Sequence, residues 1–89
     1  MELVLDCRQL ADRERAHDYL KATLGFPDYY GRNLDALYDC LTELPPCRII
    51  LQSPAVLCQE GTFGAALLNT FRDAAAENPG LELYAGNRS

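Results

Sequence analysis

The chain has 89 residues, 48% of them hydrophobic and 24% charged, and a formal net charge of −5. That is one domain's worth of sequence with apolar residues enough for a modest core, which argues against a disordered chain, and no apolar run approaches the ~20 residues of a membrane span. The acid excess argues against direct nucleic-acid binding, which needs clustered Lys and Arg, and leaves open a basic partner or plain solubility.

Leu3-Val4-Leu5 is an apolar run of strand length. Asp12 is placed to cap a helix reaching about Leu24, in which Ala16, Leu20 and Leu24 form a buried stripe. Gly25 and Pro27 stop it. His17 lies beside that stripe and is expected to be an ordinary, partly exposed histidine. An aromatic loop follows, Phe26-Pro27-Asp28-Tyr29-Tyr30-Gly31-Arg32. Asn33 suits the N-cap of a second helix, from Leu34 to about Leu44, which Pro45-Pro46 ends. Arg48-Ile49-Ile50-Leu51 predicts a short buried strand, and Pro54 to Cys58 a helical turn. Thr62 caps a last long helix to about Glu77, with Phe63, Leu67, Phe71 and Ala74 on its apolar face. Pro79-Gly80 then turns the chain into a third, alternating strand from Leu81 to Ala85. Strands separated by helices predict one α/β domain over residues 1–89, a three-stranded parallel sheet packed with helices. A nucleotide-binding Gly-rich turn is missing, since neither G-x-G-x-x-G nor G-x-x-x-x-G-K occurs.

Residues 1–6 carry neither a basic n-region nor a cleavage site, so a cytoplasmic location is expected, with Cys7, Cys40, Cys47 and Cys58 reduced. The cysteines lack C-x-x-C spacing and there is one histidine, so they read as small buried side chains. No metal and no cofactor is expected.

The second helix is the informative segment. At 100° per residue, Leu34, Leu37, Leu41 and Leu44 fall on one face, Tyr38 at its edge, and Asp35, Asp39 and Glu43 beyond it. Like charges at four-residue spacing cost a few tenths of a kcal/mol per pair in an isolated helix. Asp39 and Glu43 also lie toward the negative end of the helix dipole. A sequence chosen for stability alone would place a cation here, so the stripe reads either as functional or as a solvated face. Adjacent Tyr29 and Tyr30 cannot easily both point inward, and an exposed Tyr beside carboxylates suits a cationic partner. As an acid/base pair, Asp35 and Asp39 would need environments that split their pKa values, which an open helix face does not supply, and no nucleophile accompanies them. The chain is therefore not expected to be an enzyme.

The run Tyr29-Tyr30-Gly31-Arg32-Asn33-Leu34-Asp35-Ala36-Leu37-Tyr38-Asp39-Cys40-Leu41-Thr42 closely resembles the barstar family, and Leu24, Pro27 and Phe71-Arg72-Asp73 fit the same pattern. The resemblance implies a barstar-like three-stranded parallel sheet and an intracellular, non-covalent inhibitor of a small guanyl-type ribonuclease. It implies a basic, extracellular-type ribonuclease or related toxin as a one-to-one partner, with no nucleic acid, membrane or small-molecule substrate. It further implies that Asp39 meets the nuclease's catalytic Arg and His cluster, and that Asp35 meets its substrate-binding backbone and basic side chains. Tyr29, Tyr30, Gly31, Asn33, Leu34, Tyr38 and Thr42 would line the contact, and Asp73 would pair with a basic residue. Four features depart from the pattern. Tyr38 stands where the best-known member has Trp, Arg32 stands where an acid is familiar, Asp73 is shorter than the expected Glu, and Glu43-Leu44-Pro45-Pro46-Cys47 differs throughout. Arg32 is expected to repel a basic rim, which keeps open an alternative: an immunity or antitoxin module of the same fold for a different basic toxin.

Overall fold

Each helix begins where a short polar side chain satisfies an otherwise orphaned backbone donor. The computed structural model describes residues 2–57 and 61–86. It runs β1 (Glu2–Asp6), a 3-10 turn (Cys7–Leu10), α1 (Arg13–Leu24), α2 (Leu34–Thr42), β2 (Cys47–Gln52), a second 3-10 turn (Pro54–Leu57), α3 (Phe63–Glu77) and β3 (Leu81–Gly86). Asp12 accepts from the Arg15 N–H, Asn33 from the Ala36 N–H and Thr62 from the Ala65 N–H, so all three predicted N-caps hold. Gly25 ends α1 at φ 72°, left-handed backbone that glycine adopts without steric cost, and its N–H returns to the Lys21 carbonyl. Cys58 lies outside the described residues, and the turn before it is 3-10 as far as Leu57.

The strands pair in the order β1-β2-β3, both pairs parallel. Leu5, Ile49, Leu51 and Leu81 point into the core, which Leu20, Leu37, Leu41, Leu67 and Phe71 complete from the helices. The opposite face carries two rows in register: Glu2, Arg48 and Glu82, then Val4, Ile50 and Tyr84. Val4 and Tyr84 stand exposed there, so the alternation of the strands is that of a sheet buried on one side. The α/β fold with helices on a three-stranded parallel sheet is the one the sequence predicts.

The second helix ends at Thr42, two residues before the predicted Leu44. Pro45 is the cause, because a residue preceding proline is driven out of helical backbone. The chain tightens instead, with the Glu43 N–H bonding the Cys40 carbonyl and the Leu44 N–H the Leu41 carbonyl, at 3.2 and 3.3 Å. From the end of α3 the Leu44 carbonyl gains a donor and the Leu41 carbonyl a second one. Asn78 is buried at the C-cap of α3, and its Nδ2 donates to the Leu41 and Leu44 carbonyls at 3.1 and 3.2 Å while its Oδ1 accepts from the Gly80 N–H. One amide thus ties the end of α2 to the start of β3. Nothing in the local sequence marks it.

Asn78→Ala removes the donor to the Leu44 carbonyl, one of two donors to the Leu41 carbonyl and the acceptor of the Gly80 N–H, at a part-buried junction. It is expected to cost about 1–3 kcal/mol, read as a lowered urea midpoint with unchanged slope. Asn78→Asp, which keeps the acceptor but loses both donors, should be at least as damaging.

Candidate partner-binding site

The loop between α1 and α2 is fixed residue by residue from α1. Phe26 is buried, and its N–H joins that of Gly25 on the Lys21 carbonyl. The Tyr30 N–H closes a turn onto the Pro27 carbonyl at 3.0 Å. That turn sends the two adjacent tyrosines opposite ways: Tyr29 is 88% exposed and Tyr30 only 6%. Tyr30 packs against Phe26 with ring centroids 4.9 Å apart, and its hydroxyl meets His17 Nδ1 at 2.6 Å. Burial pushes the Tyr30 hydroxyl up to about 12, with Cys40 adding to the shift and Arg32 opposing it. Two ion pairs flank this contact, Lys21 with Asp28 and Asp18 with Arg32.

His17 is 1% exposed. The expectation of a partly exposed histidine is corrected here, because Tyr30 and Phe63 close over the ring and Nδ1 is occupied by the phenol. In one tautomer the Tyr30 O–H donates to Nδ1, and in the other Nδ1–H donates to the phenol oxygen. In both, Nε2 is buried with no hydrogen-bond partner among the described residues. Desolvation holds the imidazole below its usual range, Arg32 and Arg13 press the same way, and Asp18 opposes them.

Gly31 and Asn33 shape the entry to α2. A Cβ on Gly31 would lie 3.1 Å from the Ala36 Cβ and 3.3 Å from Asn33 Nδ2, so a side chain there forces the helix start to shift. Asn33 Nδ2 donates to the Gly31 carbonyl at 3.2 Å while its Oδ1 caps the helix at 2.7 Å. Between them Arg32 takes φ 56°.

On α2, Leu37 and Leu41 are fully buried and Leu34 packs partly against the core, which leaves Asp35 and Asp39 exposed. Thr42 is half-buried, with its hydroxyl donating to the Asp39 carbonyl at 2.8 Å. Tyr38 is half-buried at the seam where α2 packs on α3. Its hydroxyl is pushed up by burial first, then by Glu77, Asp73 and Asp39. The acids of the two helices therefore share one electrostatic neighbourhood around Tyr38. The position of Asp73 was legible only through the family resemblance, and Glu77 was not singled out at all.

Those carboxylates are uncompensated. The ion pairs among the described residues are Arg8–Asp6, Lys21–Asp28, Arg32–Asp18, and Arg48 with both Glu2 and Glu82. Asp35, Asp39, Glu43, Asp73 and Glu77 take part in none of them. Arg32, expected to project cationic charge toward a partner, is turned back onto α1. Of the cysteines, Cys7 and Cys47 are buried, while Cys40 is half-buried on α2, where desolvation, Glu43 and Asp39 raise its thiol. No group of three or more potential metal ligands occurs among the described residues, and no helix there is long and apolar enough to cross a membrane.

The family model described as Barstar (barnase inhibitor) matches residues 1–85. The chain belongs to the barstar family. A curated relative from Bacillus subtilis (strain 168), a putative ribonuclease inhibitor called YrdF, is 58% identical over 41 residues. That stretch covers 46% of this chain and 45% of YrdF, so the match spans less than half of either protein. Barstar is described as an inhibitor, and membership in its family accords with a chain that binds rather than catalyses.

Protonating His17 leaves a buried cation with one polar partner, so the folded state favours the neutral ring. The unfolded state then takes up the proton first as pH falls. Stability is expected to be full above about pH 6.5, the ordinary histidine value, and to decline as pH drops below it toward the depressed folded value. Urea midpoints measured from pH 8 to pH 5 check this. Tyr30→Phe, which leaves Nδ1 unsatisfied, should cost about 1–3 kcal/mol at neutral pH.

Proposed function

We propose that this barstar-family protein inhibits a small guanyl-type ribonuclease of the extracellular type, in a one-to-one complex, and protects its producer's cytoplasm as an immunity protein. The reading is carried by the uncompensated carboxylates of α2 and α3 gathered about Tyr38, on a chain whose other acids largely find cations of their own. A ribonuclease cleft is basic because its substrate is a polyanion. Carboxylates held on a rigid helix can stand in for phosphate without being cleaved, and they attract the cleft from a distance.

In this reading Asp39 is the central anion, facing the nuclease's catalytic Arg and His cluster, and Asp35 engages its substrate-binding backbone and basic side chains. Asp73 pairs with a further basic residue from the α3 side. Tyr29, Leu34, Tyr38 and Thr42 supply the contact around the acids, with Gly31 and Asn33 fixing the path of the chain. Tyr30 supports the loop from beneath, its side chain being turned into the core. The alternative partner, a different basic toxin, drew support from Arg32 as a repulsive charge, and its pairing with Asp18 weakens that support. The segment from Glu43 to Cys47 remains its basis.

The purified protein is expected to abolish the activity of a barnase-type ribonuclease at one-to-one stoichiometry, with association slowing as salt rises. Asp39→Ala should weaken inhibition by roughly 100-fold or more, since it strands the partner's buried cations, while leaving thermal stability unchanged or slightly raised. Equal inhibition by variant and wild type rules out this contact. Inhibition by neither moves the assignment to a different basic toxin.

A further inference from the structure

Arg32 is the single cation in residues 26–33, on a loop that leads directly into the acidic helix. Its backbone sits in the left-handed region, uncommon for a residue with a side chain, and the side chain runs back over α1. There the guanidinium pairs with Asp18, and its Nη2 also donates to the Glu14 carbonyl at 3.4 Å. Asp18 follows His17 in sequence, so adjacent residues of α1 hold two nearby points of the loop, Tyr30 from inside and Arg32 from outside.

We infer that Asp18 is a positioning residue for partner binding: by pairing with Arg32 it holds the loop's cation against α1 and away from the carboxylates of α2. The inference rests on reading the acidic face as a ribonuclease-binding surface. The pair is exposed, and exposed ion pairs add little to folding stability, so its effect lies in where the charge sits. Arg32 is three residues from Asp35, a span of at most about 11 Å along the backbone and so comparable with the Debye length of about 10 Å at 0.1 M salt. A guanidinium released from Asp18 sweeps that neighbourhood, opposes the field that draws in a basic partner and meets like charge at the partner's rim. Held back, it contributes to neither. Asp18 thus acts on recognition from a helix that need not touch the partner.

The test has two arms. Without any partner, trypsin cleavage after Arg32 reports whether its side chain is held. Asp18→Ala is expected to speed that cleavage several-fold, and Asp18→Glu to restore the wild-type rate. With a barnase-type ribonuclease at low salt, Asp18→Ala should slow association by roughly two- to fivefold, a loss that shrinks as salt rises. The double variant Asp18→Ala/Arg32→Gln should recover it. Glu14→Gln removes one negative charge from the same helix face and controls for net charge, so it should slow association less than Asp18→Ala does. Unchanged trypsin cleavage in Asp18→Ala overturns the positioning claim whatever the ribonuclease does. Faster cleavage with unchanged association, or a double variant as slow as the single, overturns the role in binding. A wild-type protein that inhibits no ribonuclease defeats the parent reading and the binding half of this one together, and the cleavage arm still decides the other half.

Discussion

The contact between Tyr30 and His17 is the constraint on which the rest of the candidate surface depends. Two adjacent tyrosines leave the chain in opposite directions only if one of them has an interior partner. The 2.6 Å bond to His17, with Phe26 and Phe63 closing around the pair, provides it. Once Tyr30 is committed inward, Tyr29 must face water, the Gly31 backbone must pass close over Ala36, and Asn33 arrives at the start of α2 in position to cap it. The acidic face of α2 inherits its orientation from that sequence of contacts. A histidine with one ring nitrogen satisfied and the other buried is a costly way to build a core. Here it is also what anchors a surface loop to the core.

Rigidity matters because the surface is electrostatically unfavourable by itself. Asp35 and Asp39 repel each other on α2, and Asp73 and Glu77 add to the same field across the seam at Tyr38. Helix burial offsets the repulsion: Leu37 and Leu41 are fully enclosed, and Asn78 ties the last carbonyls of α2 into the body of the protein. A flexible acidic segment would relieve its own strain by spreading apart and would bind only after being reordered. Fixed carboxylates meet a cationic partner without that cost.

Most of the fold was legible because it is written in local chemistry. Asp12, Asn33 and Thr62 announce their helices as caps, Gly25 and Pro45 mark ends, and the apolar spacing of α3 gives its buried face. The acid stripe of α2 was legible in the same way, as a departure from what stability alone favours. What local chemistry does not carry is the pairing of distant side chains. His17 read as ordinary because its partner lies 13 residues away, and Arg32 read as a projecting cation because Asp18 lies 14 away. Asn78 was silent for the same reason, its acceptors being 37 and 34 residues distant. The family resemblance named which residues to expect at a contact. Only the folded chain says which of them face out and which hold the others in place.

The all-parallel order β1-β2-β3 has a consequence for how the protein comes into being. Every strand pairing spans a long stretch of chain, with Glu2 and Arg48 separated by 46 residues and Arg48 and Glu82 by 34. Closing such loops is entropically slow, and helices can form well before the sheet does. During synthesis β2 has a neighbour on one side only until β3 has left the ribosome, and the same last segment delivers Asn78 to the end of α2. The end of α2 is therefore fixed in place by residues far downstream of it in the chain. A nascent chain that already carries every acid of α2 still lacks the Asn78 amide that holds the end of that helix, and the third strand that completes the sheet under it.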